Sequence, residues 1–453
     1  MSLKTLRRTA FALALGTAGS AQAGALLDLY AQALSNDKTL QAAAYQRDAT
    51  LEARPQALAA LLPQLSGQGT YTVNENTQSY STARFGSPMP ETITQDTKTE
   101  DTSVSLSLTQ AVFDWAAFTR LKQSDKQLAL AETSYQAARQ DLILRTAQAY
   151  FNVLTAAETL RAAEAQNNAI SRQLEQSKQR FEVGLSAITD VQDAQARFDL
   201  AVAQQLQAES ALFSARRALT QITGAAENKI IAVREDLPLA GPDPLTPATW
   251  ADAARDANLA VLAAQLGKTI ADDEVRIARA RHLPTVSLQA GYSDTSGDLT
   301  VDGNKSPTSS DGTQIQAILN VPIFAGGAIQ SGVRSALATS GQRLAEYDNA
   351  VRTAERSAGD AYQGVLTGIS AVKAFKAAVT STRTALEASE VGLQVGTRTA
   401  IDVLNAQQQL YAAESNYAQA RYDYLLSVLQ LKLAAGRLKE ADLAEIDRLL
   451  VSE

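Results

Sequence analysis

The ionisable residues whose placement suggests chemistry lie in two short tracts. Arg180–Gln195 reads RFEVGLSAITDVQDAQ, and Val395–Ala406 reads VGTRTAIDVLNA. In each, a Val-Gly pair is followed a few residues later by an Asp: Gly184 by Asp190, and Gly396 by Asp402. A Gly just past a helical run is where a chain turns through the left-handed region. Thr399-x-x-Asp402 has the spacing of a capping box, in which hydroxyl and carboxylate each take a backbone amide of the helix they open. Arg398 stands beside that box and reads by itself as a solvated turn residue. Bond-making chemistry has no counterpart. His282 is the only His, there is no Cys, and no phosphate-binding Gly loop or metal-ligand spacing occurs. No enzyme, metal or cofactor is expected. The formal charge of −7 and a pI near 5.1 argue against nucleic acid as the main partner.

The two tracts occupy matching places in an internal repeat. Leu62–Tyr71 aligns without gaps on Leu283–Tyr292, and Tyr150-Phe151-Asn152-Val153-Leu154 on Tyr362-Gln363-Gly364-Val365-Leu366. Val183-Gly184, Asp190-Val191 and Gly224 then match Val395-Gly396, Asp402-Val403 and Gly436. Each copy reads helix, strand, loop, strand, long helix, tight turn, helix. In copy one an opening helix runs over about 27–62, interrupted near Pro55 and stopped by Pro63. The long helix covers about 115–183, which contains no Gly or Pro and would reach ~100 Å. A returning helix spans about 189–223, closed by Gly224. The opening and returning helices are each about half the long one, so stacking them end to end would make a four-stranded helical bundle. Leu337, Leu344, Val351, Ala358, Val365, Val372, Val379, Leu386 and Leu393 recur every seventh residue, the register of a left-handed coiled coil. Leu121, Leu128, Tyr135, Leu142 and Ala149 give copy one a weaker version.

The chain start reads as a secretory leader: Lys4, Arg7 and Arg8, an apolar stretch from Phe11, and Ala21-Gln22-Ala23 before a mature start at Gly24. No run of ~18 apolar residues follows, so a bilayer would have to be met by a β-barrel. Four segments have the matching alternation. Val104, Leu106, Leu108, Gln110 and Val112 alternate with Ser103, Ser105, Ser107 and Thr109. Ile315, Ala317, Leu319, Val321 and Ile323 form a second set, Val286, Leu288, Ala290 and Tyr292 a third, and the more polar 64–74 a fourth. Phe113, Trp115, Phe118 and Phe324 cluster where strand meets helix, as an interfacial aromatic belt would. The polar stretches 74–102 and 294–313 read as outward loops. Four strands do not close a barrel, which needs at least ~8. Chains must pool them, and two, three or four chains would supply eight, twelve or sixteen.

With Phe113-Asp114, Ile222-Thr223-Gly224 and Ala420–Leu425 (ARYDYL), the two turn tracts closely resemble the TolC-type outer-membrane efflux family, in order along nearly the whole mature chain. The resemblance implies a homotrimer in outer-membrane lipid, with one 12-strand barrel continued by a helical barrel across the periplasm. It also implies a tapered, gated aperture that meets a periplasmic adaptor and an inner-membrane transporter of the RND or ABC type. On this resemblance Asp402 belongs to an acidic ring at the aperture, and Asn405 stands where the pattern has a second Asp. Thr189, Asp190 and Arg398 match polar links of the closed state, and Leu393 replaces a hydrogen-bonding Tyr. Three Asp402 carboxylates about a narrow axis would concentrate cations, and an Arg398–Asp190 contact would suit a reversible latch.

The expected divisions are a leader at 1–23, a first repeat at 24–224, an equatorial linker at 225–247, a second repeat at 248–436 and a C-terminal equatorial segment at 437–453. The expected function is a passive exit duct for efflux or type I secretion. An exported coiled-coil scaffold or adhesin is the rival. It explains the heptads and the leader, but not four amphipathic strands placed symmetrically in two repeats.

Overall fold

A computed structural model describes residues 25–82, 91–225 and 230–450. The leader and its cleavage site lie outside them.

The opening segment is three helices: α1 (Ala25–Asn36), α2 (Lys38–Leu51) and α3 (Ala53–Ala59). One break falls at Glu52, near Pro55 as expected, and a second at Asp37. Asp37 caps α2 by accepting the Leu40 amide at 2.7 Å. Pro55 sits in the first turn of α3, where its missing N–H removes no intrahelical bond. After Pro63 the chain enters strands β1 (Gln64–Thr82) and β2 (Glu91–Phe113). Asp114 then caps α4 (Trp115–Glu182), accepting the Ala117 amide at 3.0 Å. At 68 residues, α4 extends ~100 Å. It returns through α5 (Ile188–Thr223), which Gly224 ends at φ 73°. The second half repeats this order: α6 (Pro247–Ala257), α7 (Leu259–Ala280), β3 (Thr285–Val301), β4 (Asn304–Asn320), α8 (Ala328–Gln394) and α9 (Ala400–Ala434). A short α10 (Glu440–Asp447) follows.

The long helices organise the bundle. α1, α2 and α3 pack along one half of α4 and α5 along the other, while α6 and α7 pack on one half of α8 and α9 on the other. The stacking expected from the helix lengths is therefore present. The apolar core is concentrated at the waist, where Leu26, Leu29, Leu142, Tyr150, Phe151, Val365, Tyr422, Leu429 and Leu443 are buried together. Phe151 stacks on Tyr422 at 5.6 Å. Away from the waist the heptad residues Leu337 and Leu344 stay exposed, a face left for another surface.

The hairpins form one antiparallel sheet in the order β1-β2-β3-β4. Among the described residues no strand packs extensively on any helix, so the sheet stands apart from the bundle. Leu65, Leu108, Ala290 and Ile315 stand in one row on one face. Ser66, Ser107, Gly291 and Gln314 form the next row on the other. The strands overrun the expected loops at 74–102 and 294–313. Thr-rich alternation supports a ladder as readily as a solvated tip, and β3 turns into β4 through Asp302-Gly303 alone, at φ 48° and 82°. Beyond the apolar rows the same face becomes charged at Glu75, Lys98 and Glu100. β4 stops at Asn320, short of the expected Ile323, since Pro322 has no amide for a ladder.

Candidate functional site

The two turns that join the long helices to their partners share one backbone geometry. At the end of α4, Gly184 takes φ 76°, Leu185 N donates to Arg180 O at 2.8 Å and Gly184 N donates to Phe181 O at 2.9 Å. At the end of α8, Gly396 takes φ 78°, Thr397 N donates to Gly392 O at 2.9 Å and Gly396 N donates to Leu393 O at 3.2 Å. Each is a Schellman closure, which needs a residue free to enter the left-handed region.

The next helices begin differently. Thr399 and Asp402 form the full box: the Asp402 carboxylate accepts Thr399 N at 2.8 Å and Thr399 Oγ1 at 2.9 Å, and Asp402 N donates to Thr399 Oγ1 at 3.2 Å. The Thr399 amide and hydroxyl, with the charge of Arg398, hold the Asp402 carboxyl below the ordinary carboxylate value. In the first turn Asp190 accepts Ala187 N at 3.3 Å, and the Ala187 methyl has no hydrogen-bonding atom to return the bond. Thr189, Asp190, Arg398 and Asn405 are all exposed, and Leu393 is half-buried in the last turn of α8. Among the described residues Arg398 and Asp190 make no ion pair within the chain.

One residue of this turn was not singled out from sequence. Gly392 is buried, and its carbonyl also receives Arg398 N at 3.1 Å and Thr397 Oγ1 at 3.2 Å. A Cβ there would stand 2.6 Å from Arg398 Cγ. Gly392 thus makes the bed for the Arg398 stem. A Gly inside the last turn of a heptad helix was the signal available. His282 is exposed at the end of α7, and the described residues hold no His, Cys, Asp and Glu group arranged for a metal ion.

The ends of the molecule therefore differ in kind. One presents an amphipathic sheet with open edges, the other two capped turns carrying exposed charge. The family model described as outer membrane efflux protein matches residues 29–225 and 250–437. The chain belongs to the outer membrane efflux protein family. Outer membrane protein TolC of Vibrio cholerae is 36% identical over 435 residues, covering 96% of each chain. Alkaline protease secretion protein AprF of Pseudomonas aeruginosa is 31% identical over 97% of this chain and 88% of its own. The Campylobacter jejuni CmeC outer membrane channel superposes with a TM-score of 0.73 at 20% identity, covering 94% of this chain and 90% of that one. Outer membrane protein VceC of Vibrio cholerae does so at 0.69 and 20%, covering 91% and 96%. As a member of this outer membrane efflux protein family, the chain is an exit duct of the efflux and secretion class. It resides in the outer membrane with its helical part in the periplasm.

Proposed function

We propose that three copies close one 12-strand barrel and one helical barrel, through which substrates pass without chemistry by the duct itself. The observation that carries this is the open sheet. β1 and β4 are edge strands. In lipid each unpaired backbone group costs several kcal/mol, so edges must be shared between subunits. The exposed heptad residues Leu337 and Leu344 supply apolar surface for the same association among the helices.

The capped turns are the periplasmic gate. Three Asp402 carboxylates, kept ionised by their caps, form a negative constriction that favours cations. Asn405 leaves the ring one turn further on uncharged. Arg398 and Asp190, exposed and unpaired with each other within the chain, link neighbouring hairpins in the closed state with Thr189. Leu393 offers no hydrogen bond to that link, so closure depends on the ionic contacts. A periplasmic adaptor and an inner-membrane transporter, RND-type or ABC-type, supply the substrate and the energy. The repeats at 24–224 and 248–436 are the units of the wall, and 225–247 with 437–453 form a belt around its waist. Support for the belt comes from Tyr417, Arg421 and Tyr424 of α9, whose side chains bond backbone groups of Glu235, Val233, Arg234 and Ala240.

Planar bilayers test this reading. Purified protein should insert as a conducting oligomer with low resting conductance. Protein that is folded and membrane-associated yet never conducts contradicts it.

A further inference from the structure

The barrel seam between subunits has a definite register, and the chain's own repeat specifies it. The inference rests on the shared-wall reading above and says which residues meet.

The argument uses only pairings within the chain. Leu62–Tyr71 aligns with Leu283–Tyr292, so β1 corresponds to β3 and Leu65 to Val286. Leu65 pairs with Leu108, and Val286 pairs with Leu319. Leu108 therefore corresponds to Leu319, and β2 to β4. The correspondence holds along the strands: Tyr71 pairs with Thr102, and Tyr292 pairs with Thr313. Continued to the strand end, it places Phe113 on Phe324.

The contact between the two hairpins is β2 against β3, with Val104 opposite Asp294, Leu106 opposite Tyr292 and Leu108 opposite Ala290. A neighbouring subunit must offer its first hairpin to β4 just as the second hairpin is offered to β2, because the wall can close only through the two free edges. We propose that β4 pairs antiparallel with the partner subunit's β1 in the translated register. Ile315 then lies opposite the partner subunit's Val73, Ala317 opposite the partner subunit's Tyr71, and Leu319 opposite the partner subunit's Gly69.

Three features of the chain agree with this seam. First, it joins like faces. Ile315 and Leu319 share the apolar face with Leu65, Tyr71 and Val73, whereas a slip of one residue would set that face against the Ser and Gln side. Second, Ile315, Leu319, Leu65 and Tyr71 are 73%, 63%, 71% and 68% exposed in the single chain, as residues without a neighbouring strand must be. Third, the β2–β3 ladder breaks register between Ala111 and Phe113. By the same translation Ala111, the last residue paired before the break, corresponds to Pro322 just past β4, which cannot donate to a ladder and suits an interruption. The paired stretch runs from Asn320 opposite the partner subunit's Gln68 to Ser306 opposite the partner subunit's Thr82. This covers most of both strands.

The protein has no Cys, so engineered pairs report cleanly. In one chain β1 and β4 are three strand spacings apart, roughly 14 Å, beyond disulfide reach. Any disulfide between them joins subunits. Outward pairs of a seam are all of one hydrogen-bonding type and inward pairs all of the other, so one pair of each is made: Val73→Cys with Ile315→Cys, and Asn74→Cys with Gln314→Cys. Controls slipped by two residues combine Ile315→Cys with Tyr71→Cys or Glu75→Cys, and Gln314→Cys with Thr72→Cys or Asn76→Cys. Outer membranes are oxidised and run without reductant. The proposal predicts a covalent trimer ladder for at least one matched pair, several-fold stronger than its slipped controls. Slipped pairs that cross-link better overturn the register while leaving the shared wall intact. If no pair cross-links and the protein is monomeric in mild detergent, the shared wall itself falls.

Discussion

Asp37 and Arg145 meet across 108 positions of chain, the buried carboxylate taking Nη1 at 3.1 Å and Nη2 at 3.2 Å while it caps α2. The pair fixes the first helix break against α4 beside the buried waist. Replacing Asp37 with Ala removes a cap and leaves Arg145 without its buried partner, a loss of about 3–5 kcal/mol. Asp37→Asn keeps a capping oxygen and should cost clearly less. Thermal unfolding followed by circular dichroism in detergent measures both. Equal melting temperatures for wild type and Asp37→Ala would show that the pair carries no stability.

The same carboxylate gives a pH signature. Burial pushes Asp37 up, but Arg145 and the Leu40 amide outweigh it and hold the group below its ordinary 3.8. Its stabilisation is therefore complete above that value and is lost as pH falls through the lower folded value. Asp447, which accepts Leu26 N at 3.0 Å and Leu27 N at 2.9 Å, behaves oppositely, because burial raises it despite those amides. Its contribution is greatest below 3.8 and declines as pH rises through the higher folded value. Wild type should lose its advantage over Asp37→Asn on acidification, and over Asp447→Asn on moving upward from strong acid. Melting temperatures against pH for the three proteins check both signs.

The turn glycines should separate into two grades. Gly184→Ala and Gly396→Ala meet no neighbouring atom, and each costs only the left-handed backbone, about 1–2 kcal/mol. Gly436→Ala adds a Cβ that runs into the Ala257 carbonyl and should be far worse. Hydrogen exchange should show fraying confined to the tips for the first two and loosening of the waist for the third.

At the gate, Arg398→Ser should raise resting conductance in planar bilayers, and Asp402→Asn should lessen cation selectivity and block by multivalent cations. Gly392→Ala should resemble Arg398→Ser, because its Cβ displaces the Arg398 stem. Conductance and selectivity equal to wild type in all three would place the constriction elsewhere.

Much of this was legible in the residues. The helix lengths followed from a stretch without Gly or Pro, and the Thr399–Asp402 box from spacing alone. The strand lengths were not, because Ser, Thr, Asp and Gly serve both solvated tips and ladders. The Asp302-Gly303 dipeptide was the signal that would have closed the second hairpin at two residues. The break near Pro55 was legible because a Pro in the first turn of a helix cannot continue the one before it, whereas the break at Asp37 carried no Pro or Gly to mark it. Gly392 stayed hidden because its role depends on where the Arg398 stem lies in space, which no spacing encodes.

The central claim is that one chain cannot complete its own wall. The mass of the native particle, measured by light scattering or native mass spectrometry after mild detergent extraction of outer membranes, tests it most directly. The account predicts three chains in one particle and no folded form that stays in solution without detergent. A folded, water-soluble single chain would contradict it.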